Sequence, residues 1–251
     1  MNDHIEVLIL NQNDYREHDV MFRALSKEYG ALTFIAAGAR KMTSKNAGSI
    51  LPYTKAEIHF DYKEGKRMFR MKTASTRNLY RKLHEDLNLS ACASFASETA
   101  MAMHNESEET AIEEYEMLET VYDALNTGRQ PVTVLALYIS DMMKLFGIGA
   151  DVDECVICGN TTVHAVSAKE GGFLCADCAE RLSVPFKTPN ELKRFRILVK
   201  GSLRHLEMIE KAGGASLADL EILADMLKLH AGIELRSFAF LKRIFALKAD
   251  T

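Results

Sequence analysis

Hydrophobic and polar residues alternate strictly over positions 54–62. Ala56, Ile58, Phe60 and Tyr62 face one way and Lys55, Glu57, His59 and Asp61 the other, the period of a half-buried strand. Lys63-Glu64-Gly65 supplies a turn, and residues 66–74 alternate again. There Phe69, Met71 and Thr73 share one face, while Lys66, Met68, Arg70 and Lys72 share the other. The pattern predicts a β-hairpin whose second strand carries a basic outer stripe. Further strands are predicted at 4–10, 19–26 and 31–37, with breaks at Asn11–Tyr15 and around Gly30; the segment 19–26 also fits a short helix. Five short strands in under 80 residues suit a small barrel better than an open sheet.

From Leu79 the period lengthens. Residues 90–104 read as a helix opened by Ser90 as N-cap. Residues 108–126 place Ile112, Tyr115, Leu118, Tyr122 and Leu125 three or four apart, an apolar helix stripe, behind a Glu-rich opening over Glu106–Glu116 that suits a helix N-terminus. Carboxylates between Glu106 and Glu119 read as a solvated helix surface. Pro131 opens a helix that runs to about Phe146 and ends at Gly147-Ile148-Gly149. Thr188-Pro189-Asn190-Glu191 combines an N-cap, a first-turn proline and a capping-box acid. Helices over about 216–230 and 234–247, split by Gly232, complete the chain. The expected fold class is α+β, with a barrel at 1–78 and a helical domain at 79–251.

Four of the five cysteines form one pattern: Cys155-Val-Ile-Cys158, sixteen residues, then Cys175-Ala-Asp-Cys178. Each two-residue gap lets a tight knuckle aim two sulfurs at one ion, and two knuckles complete a tetrahedron. Gly159 follows the first knuckle, where positive φ is useful. Gly171-Gly172 predicts a small hairpin joining the knuckles, within a module at about 152–184. The expectation is one structural zinc per chain, with no open coordination position for catalysis. Disulfides fit a cytoplasmic chain poorly, and redox dithiols would need a thioredoxin-like context that is absent. His164 could replace a thiolate but reads more simply as a surface or strand histidine, and lone Cys92 as a core thiol.

Composition changes this picture in one respect. The chain of 251 residues has a net charge of −4, yet residues 1–78 carry 13 Lys and Arg against 9 Asp and Glu, whereas 79–130 carry 3 against 11. The charge excess of the barrel segment is therefore positive. No apolar run approaches the roughly 20 residues of a membrane span, and Asp3 and Glu6 stand where a secretory signal would be basic. The expected compartment is the cytoplasm, with no membrane partner. No nucleotide loop, nucleophile elbow or zinc-protease helix occurs, and the eight histidines show no pair at helical ligand spacing, so no enzyme is expected.

An opening strand followed by Asp14-Tyr15-Arg16-Glu17-His18-Asp19, then Phe22–Leu25, Tyr29-Gly30, Ala37-Gly38-Ala39-Arg40-Lys41 and Leu51-Pro52-Tyr53 resembles the RecO family of bacterial recombination mediators. The cysteine quartet, helical second half and length also match. The resemblance implies an N-terminal OB-fold followed by a helical domain, with a zinc module in only some members. It implies binding of single- and double-stranded DNA, annealing of complementary strands and, with RecR, loading of RecA onto strands coated by single-strand-binding protein. It also implies a nucleoid-associated protein, here expected to be monomeric alone. An OB-fold binds strands through a cationic groove and aromatic platforms. Candidate DNA contacts are Arg16, Arg40, Lys41, Lys45, Lys66, Arg67, Arg70 and Lys72, with Tyr15, Tyr53 and Phe69 as available aromatics, although Phe69 points with the apolar set and reads as core. The alternative is a zinc-stapled interaction scaffold with only incidental DNA contact.

Overall fold

The computed structural model describes residues 2–104 and 110–249, which fall into two compact units, 1–127 and 128–251. In the first, β1 (Asn2–Tyr15), β2 (Asp19–Ser26), β3 (Gly30–Ala36), β4 (Lys55–Asp61) and β5 (Met68–Asn78) close into a barrel of order β1-β2-β3-β5-β4. β3 and β5 pair parallel, while the other neighbours, including β1 with β4, pair antiparallel. This is the five-stranded OB arrangement. Its interior holds Val7, Ile9, Phe22, Phe34, Ile58, Phe60 and Phe69, with Phe34 stacked on Phe22 and edge-on to Phe60. The period-two positions of β4 all point inward as expected.

Two bulges account for the departures from the simple alternation. β1 continues through the expected break at Asn11–Tyr15, because its register with β2 shifts between Ile9 and Asn11, so that Leu10 is extra. An extra residue bends a strand and increases its twist without ending it. In β5, His59 pairs with Thr73 and Phe60 with Met71, so Lys72 is extra. Beyond it Thr73 is exposed and Ala74 packs on the core, the reverse of the alternation predicted there. Residues 19–26 are a strand.

Among the described residues, the α-helices α1 (Arg81–Glu85), α2 (Leu87–Met103) and α3 (Ala111–Thr127) complete the first unit. Helix α2 starts before Ser90, since the Asp86 carboxylate accepts from the Asn88 and Leu89 N–H groups. Helices α2 and α3 pack on β1, β2 and β3, and Leu8, Leu10 and Leu25 are buried although they lie outside the barrel's interior. The compact unit thus extends beyond residue 78, where the hydrophobic period changes. Tyr115, Leu118, Tyr122 and Leu125 are buried, but Ile112 is exposed. Glu106, Glu108 and Glu109 lie outside the described residues.

One acid of that Glu-rich stretch is not on the surface. Glu114 is 0% exposed: its Oε2 lies 2.8 Å from His104 Nδ1, and its Oε1 accepts from the Thr110 hydroxyl at 2.6 Å. The Ala31 N–H donates to His104 Nε2, so Nδ1 carries the proton and donates to Glu114. The ring sits so close to Gly30 that a Cβ there would meet His104 Cε1 at 2.6 Å. Sequence periodicity carries no sign of this network, because its members come from three separate segments. Replacing Glu114 by Ala strips a partner from the buried His104 ring and another from the half-buried Thr110 hydroxyl and leaves a void, and should cost about 3 kcal/mol. Urea unfolding should show the midpoint lowered, with Glu114→Gln less affected.

The second unit is helical around the cysteine module. Its elements are α4 (Pro131–Leu145), β6 (Ala165–Ser167), β7 (Gly172–Leu174), α5 (Ala176–Arg181), α6 (Pro189–Lys200), α7 (Leu206–Lys211), α8 (Leu217–Ala231) and α9 (Arg236–Ala249). Pro131 occupies the first turn of α4, whose run Val134–Ile139 is wholly buried. The Thr188–Glu191 capping box forms as predicted, and Ser216 with Asp219 makes another at α8. Arg194 holds Asp219 through two hydrogen bonds. Among the described residues no helix is long and apolar enough to cross a membrane.

Candidate zinc centre and nucleic-acid interface

The two cysteine pairs meet because a hairpin carries one back to the other. β6 and β7 pair antiparallel, and the chain then enters α5 with Cys175 as its N-cap residue and Cys178 in its first turn. Gly159 has φ +73°, and its N–H donates to the Cys155 carbonyl, closing the first knuckle. Gly172 is required for contact: a Cβ there would lie 2.1 Å from the Asp151 carbonyl oxygen. Arg196 donates to the Val152 carbonyl and lies over the Phe173 ring, fixing the module to α6.

One sulfur from each of Cys155, Cys158, Cys175 and Cys178 lies within 4.8 Å of all the others. The Cys158 and Cys175 sulfurs are 3.6 Å apart. Bonds of about 2.3 Å to a tetrahedral zinc put sulfurs about 3.8 Å apart, so the donor set fits that ion with little movement. None of the four is disulfide-bonded. Three are buried and Cys158 is exposed. Burial raises the Cys155 thiol, but backbone N–H groups of Cys175, Ile157 and Cys158 outweigh it and bring it down to about 6. Burial, with the neighbouring cysteines, pushes Cys178 up to about 12. Such divergent titration is expected where several thiols share one pocket. A bound divalent cation would supply the charge that holds all four as thiolates. His164 lies outside the cluster, exposed beside Phe186, and Cys92 is buried in α2.

The eight candidate DNA-contact residues occupy a band on the barrel rather than a single loop. Arg16 lies in the β1–β2 turn, and Arg40, Lys41 and Lys45 in the β3–β4 connection at the same end. Lys66 and Arg67 lie in the β4–β5 connection at the opposite end, and Arg70 and Lys72 run along β5 between them. At about 3.3 Å per residue, Lys66 to Lys72 alone covers about 20 Å. Arg40 is held by Asp14 at 3.2 Å and by the Glu17 carbonyl, Lys72 by Asp61, and Arg67 by the Tyr29 carbonyl. The Arg16 guanidinium lies over the Tyr15 ring. Lys41, Lys45, Lys66 and Arg70 are exposed and make no ion pair among the described residues. Exposed pairs such as Arg40–Asp14 are weak and exchange readily for a phosphate.

Strand pairing adds residues that linear reading missed. Met21, Ile35 and Arg70 stand side by side across β2, β3 and β5, as do Arg23, Thr33 and Met68, so an outer face of mixed cationic and apolar character adjoins the band. Outward positions of 19–26 and 31–37 would have shown it once both were placed as strands. The aromatics agree with expectation at Phe69 and depart from it at Tyr53. Phe69 is core, and Tyr53 packs against Tyr122, whereas Tyr29 and Tyr62 stack at 4.4 Å near Arg67.

The family model for the N-terminal part of recombination protein O matches residues 1–80, and that for its C-terminal part matches residues 84–238. The chain belongs to the RecO family. Its curated RecO relatives include a DNA repair protein RecO from Anaeromyxobacter sp. (strain K), 27% identical over 94% of each chain. Another, from Limosilactobacillus fermentum, is 28% identical over 79% of this chain and 74% of the relative. The RecO protein of Listeria welshimeri is 24% identical over 81% and 80%. Both RecO matches meet near residue 80, where the barrel strands give way to helices.

Proposed function

We propose that this chain binds DNA through the cationic band of its barrel and acts as a non-enzymatic mediator in recombinational repair. The observation that carries the proposal is the row of exposed lysines and arginines along β5 and the β3–β4 connection of an OB barrel. RecO-family membership supports the repair and recombination role. Within this reading the barrel over 1–78 contacts single- and double-stranded DNA. The helical part over 79–251, with its zinc module at 152–184, carries contacts to RecR and to single-strand-binding protein in RecA loading. The protein works in the cytoplasm, at the nucleoid.

The chain has no phosphate-binding loop motif, so the physical means proposed is binding energy. Two complementary strands held on one protein gain effective concentration, and cationic contacts reduce the repulsion between their phosphates. Annealing should therefore proceed without nucleotide or free magnesium and slow as salt rises. A stopped-flow assay with naked and coated strands checks this. Rate enhancement in both cases supports mediation, and equal rates with and without the protein at low salt overturn it in favour of a scaffold.

A further inference from the structure

We propose that His4, Glu57 and His59 form a second metal site, on the outer face of the β1–β4 seam, that takes a borderline divalent ion such as zinc. His4 and His59 are 55 positions apart in sequence, yet strand register sets them directly opposite each other. Their ring centroids are 3.5 Å apart. Glu57 lies two residues before His59 and so on the same face of β4. One donor atom from each of the three residues lies within 4.8 Å of the other two, and His4 Nδ1 is 3.5 Å from Glu57 Oε1. Bonds of about 2.1 Å to a tetrahedral ion place ligand atoms about 3.4 Å apart, so small side-chain rotations complete the set.

The second carboxylate oxygen supports this assignment. Glu57 Oε2 is held by the Arg77 guanidinium, while Oε1 faces His4. Ligating carboxylates are commonly oriented by such an outer hydrogen bond, so Arg77 acts as a positioning residue that leaves one oxygen for the ion. Two imidazoles and one carboxylate favour zinc, nickel or copper over magnesium or calcium, which prefer oxygen donors throughout. Three protein ligands leave a position for water. An ion there would clasp β1 to β4, the pairing that closes the barrel.

The test uses the full chain with its cysteine site already saturated with zinc. Isothermal titration with further zinc should show one additional equivalent for the wild type and none for His4→Ala, His59→Ala or the double variant. Arg77→Ala should bind about 10- to 100-fold more weakly. Magnesium should give no heat. In parallel, zinc should shift the ring nitrogen signals of His4 and His59 in a histidine-labelled sample. Equal zinc uptake by wild type and the double variant, or unmoved His4 and His59 signals, overturns the site. All three positions lie on the barrel's outer face, His4 exposed and Glu57 and His59 half-buried, so the variants should keep the fold, and a matching circular dichroism spectrum checks that.

Discussion

Removing the metal from the cysteine quartet should unfold the module over residues 152–184 and lower the stability of the helical unit by roughly 5 kcal/mol or more. The size follows from what the module lacks without an ion. Its hairpin has three residues per strand, and its buried cluster consists of Cys155, Ala165, Leu174, Cys175, Cys178 and Ala179, half of them ligands. With no metal, several thiols of unlike titration crowd one pocket, and beyond this cluster only Val152, Val166 and Phe173 of the module are buried apolar side chains. Thermal unfolding with and without a strong chelator measures the loss, and Cys175→Ser should reproduce it while releasing zinc. A melting temperature unmoved by chelation, in protein found free of metal, contradicts the assignment. Because four sulfurs leave no open position, the same variant should retain barrel-mediated DNA binding under conditions where it stays folded.

Reversing Arg40, Lys41 and Lys45 to Glu together should weaken binding to a single strand by on the order of 100-fold at low salt. The plot of log affinity against log salt should become shallower by about 2, the share of three phosphate contacts at about 0.7 each. All three side chains are exposed and lie outside the barrel's interior, so the fold should persist. Arg40 also holds Asp14 and the Glu17 carbonyl, so a Lys41 and Lys45 double variant separates lost contact from a disturbed turn. Unchanged affinity in the folded triple variant would move the site away from this connection, to Arg236, Lys242 and Arg243 of α9.

What the sequence made legible was set by the range of the interactions. The Pro131 helix, the Thr188–Glu191 cap and the cysteine knuckles are local patterns, and each appears where period or spacing placed it; the hairpin predicted at 54–74 also forms, with its second strand running over Met68–Asn78. The bulges at Leu10 and Lys72 depend on a partner strand, so alternation alone predicted a break at one and inverted Thr73 and Ala74 at the other. Glu114 shows the same limit. A glutamate in an acidic run reads as solvated until His104 and Ala31, from other segments, close around it. The histidine pair shows it for chemistry, because His4 and His59 become neighbours only through the pairing of β1 with β4. The candidate DNA residues were found as charges, but their arrangement into a band needed the barrel order.

The central claim is that this barrel binds DNA by phosphate contact along its cationic band. A labelled single-stranded oligonucleotide titrated at 50 and 200 mM salt, with metal analysis of the same sample, tests it most directly. If about five phosphates are engaged, affinity should fall by on the order of 100-fold between the two conditions, with little dependence on base sequence. Binding that is absent at 50 mM salt, or that is equal at both concentrations, would contradict the account.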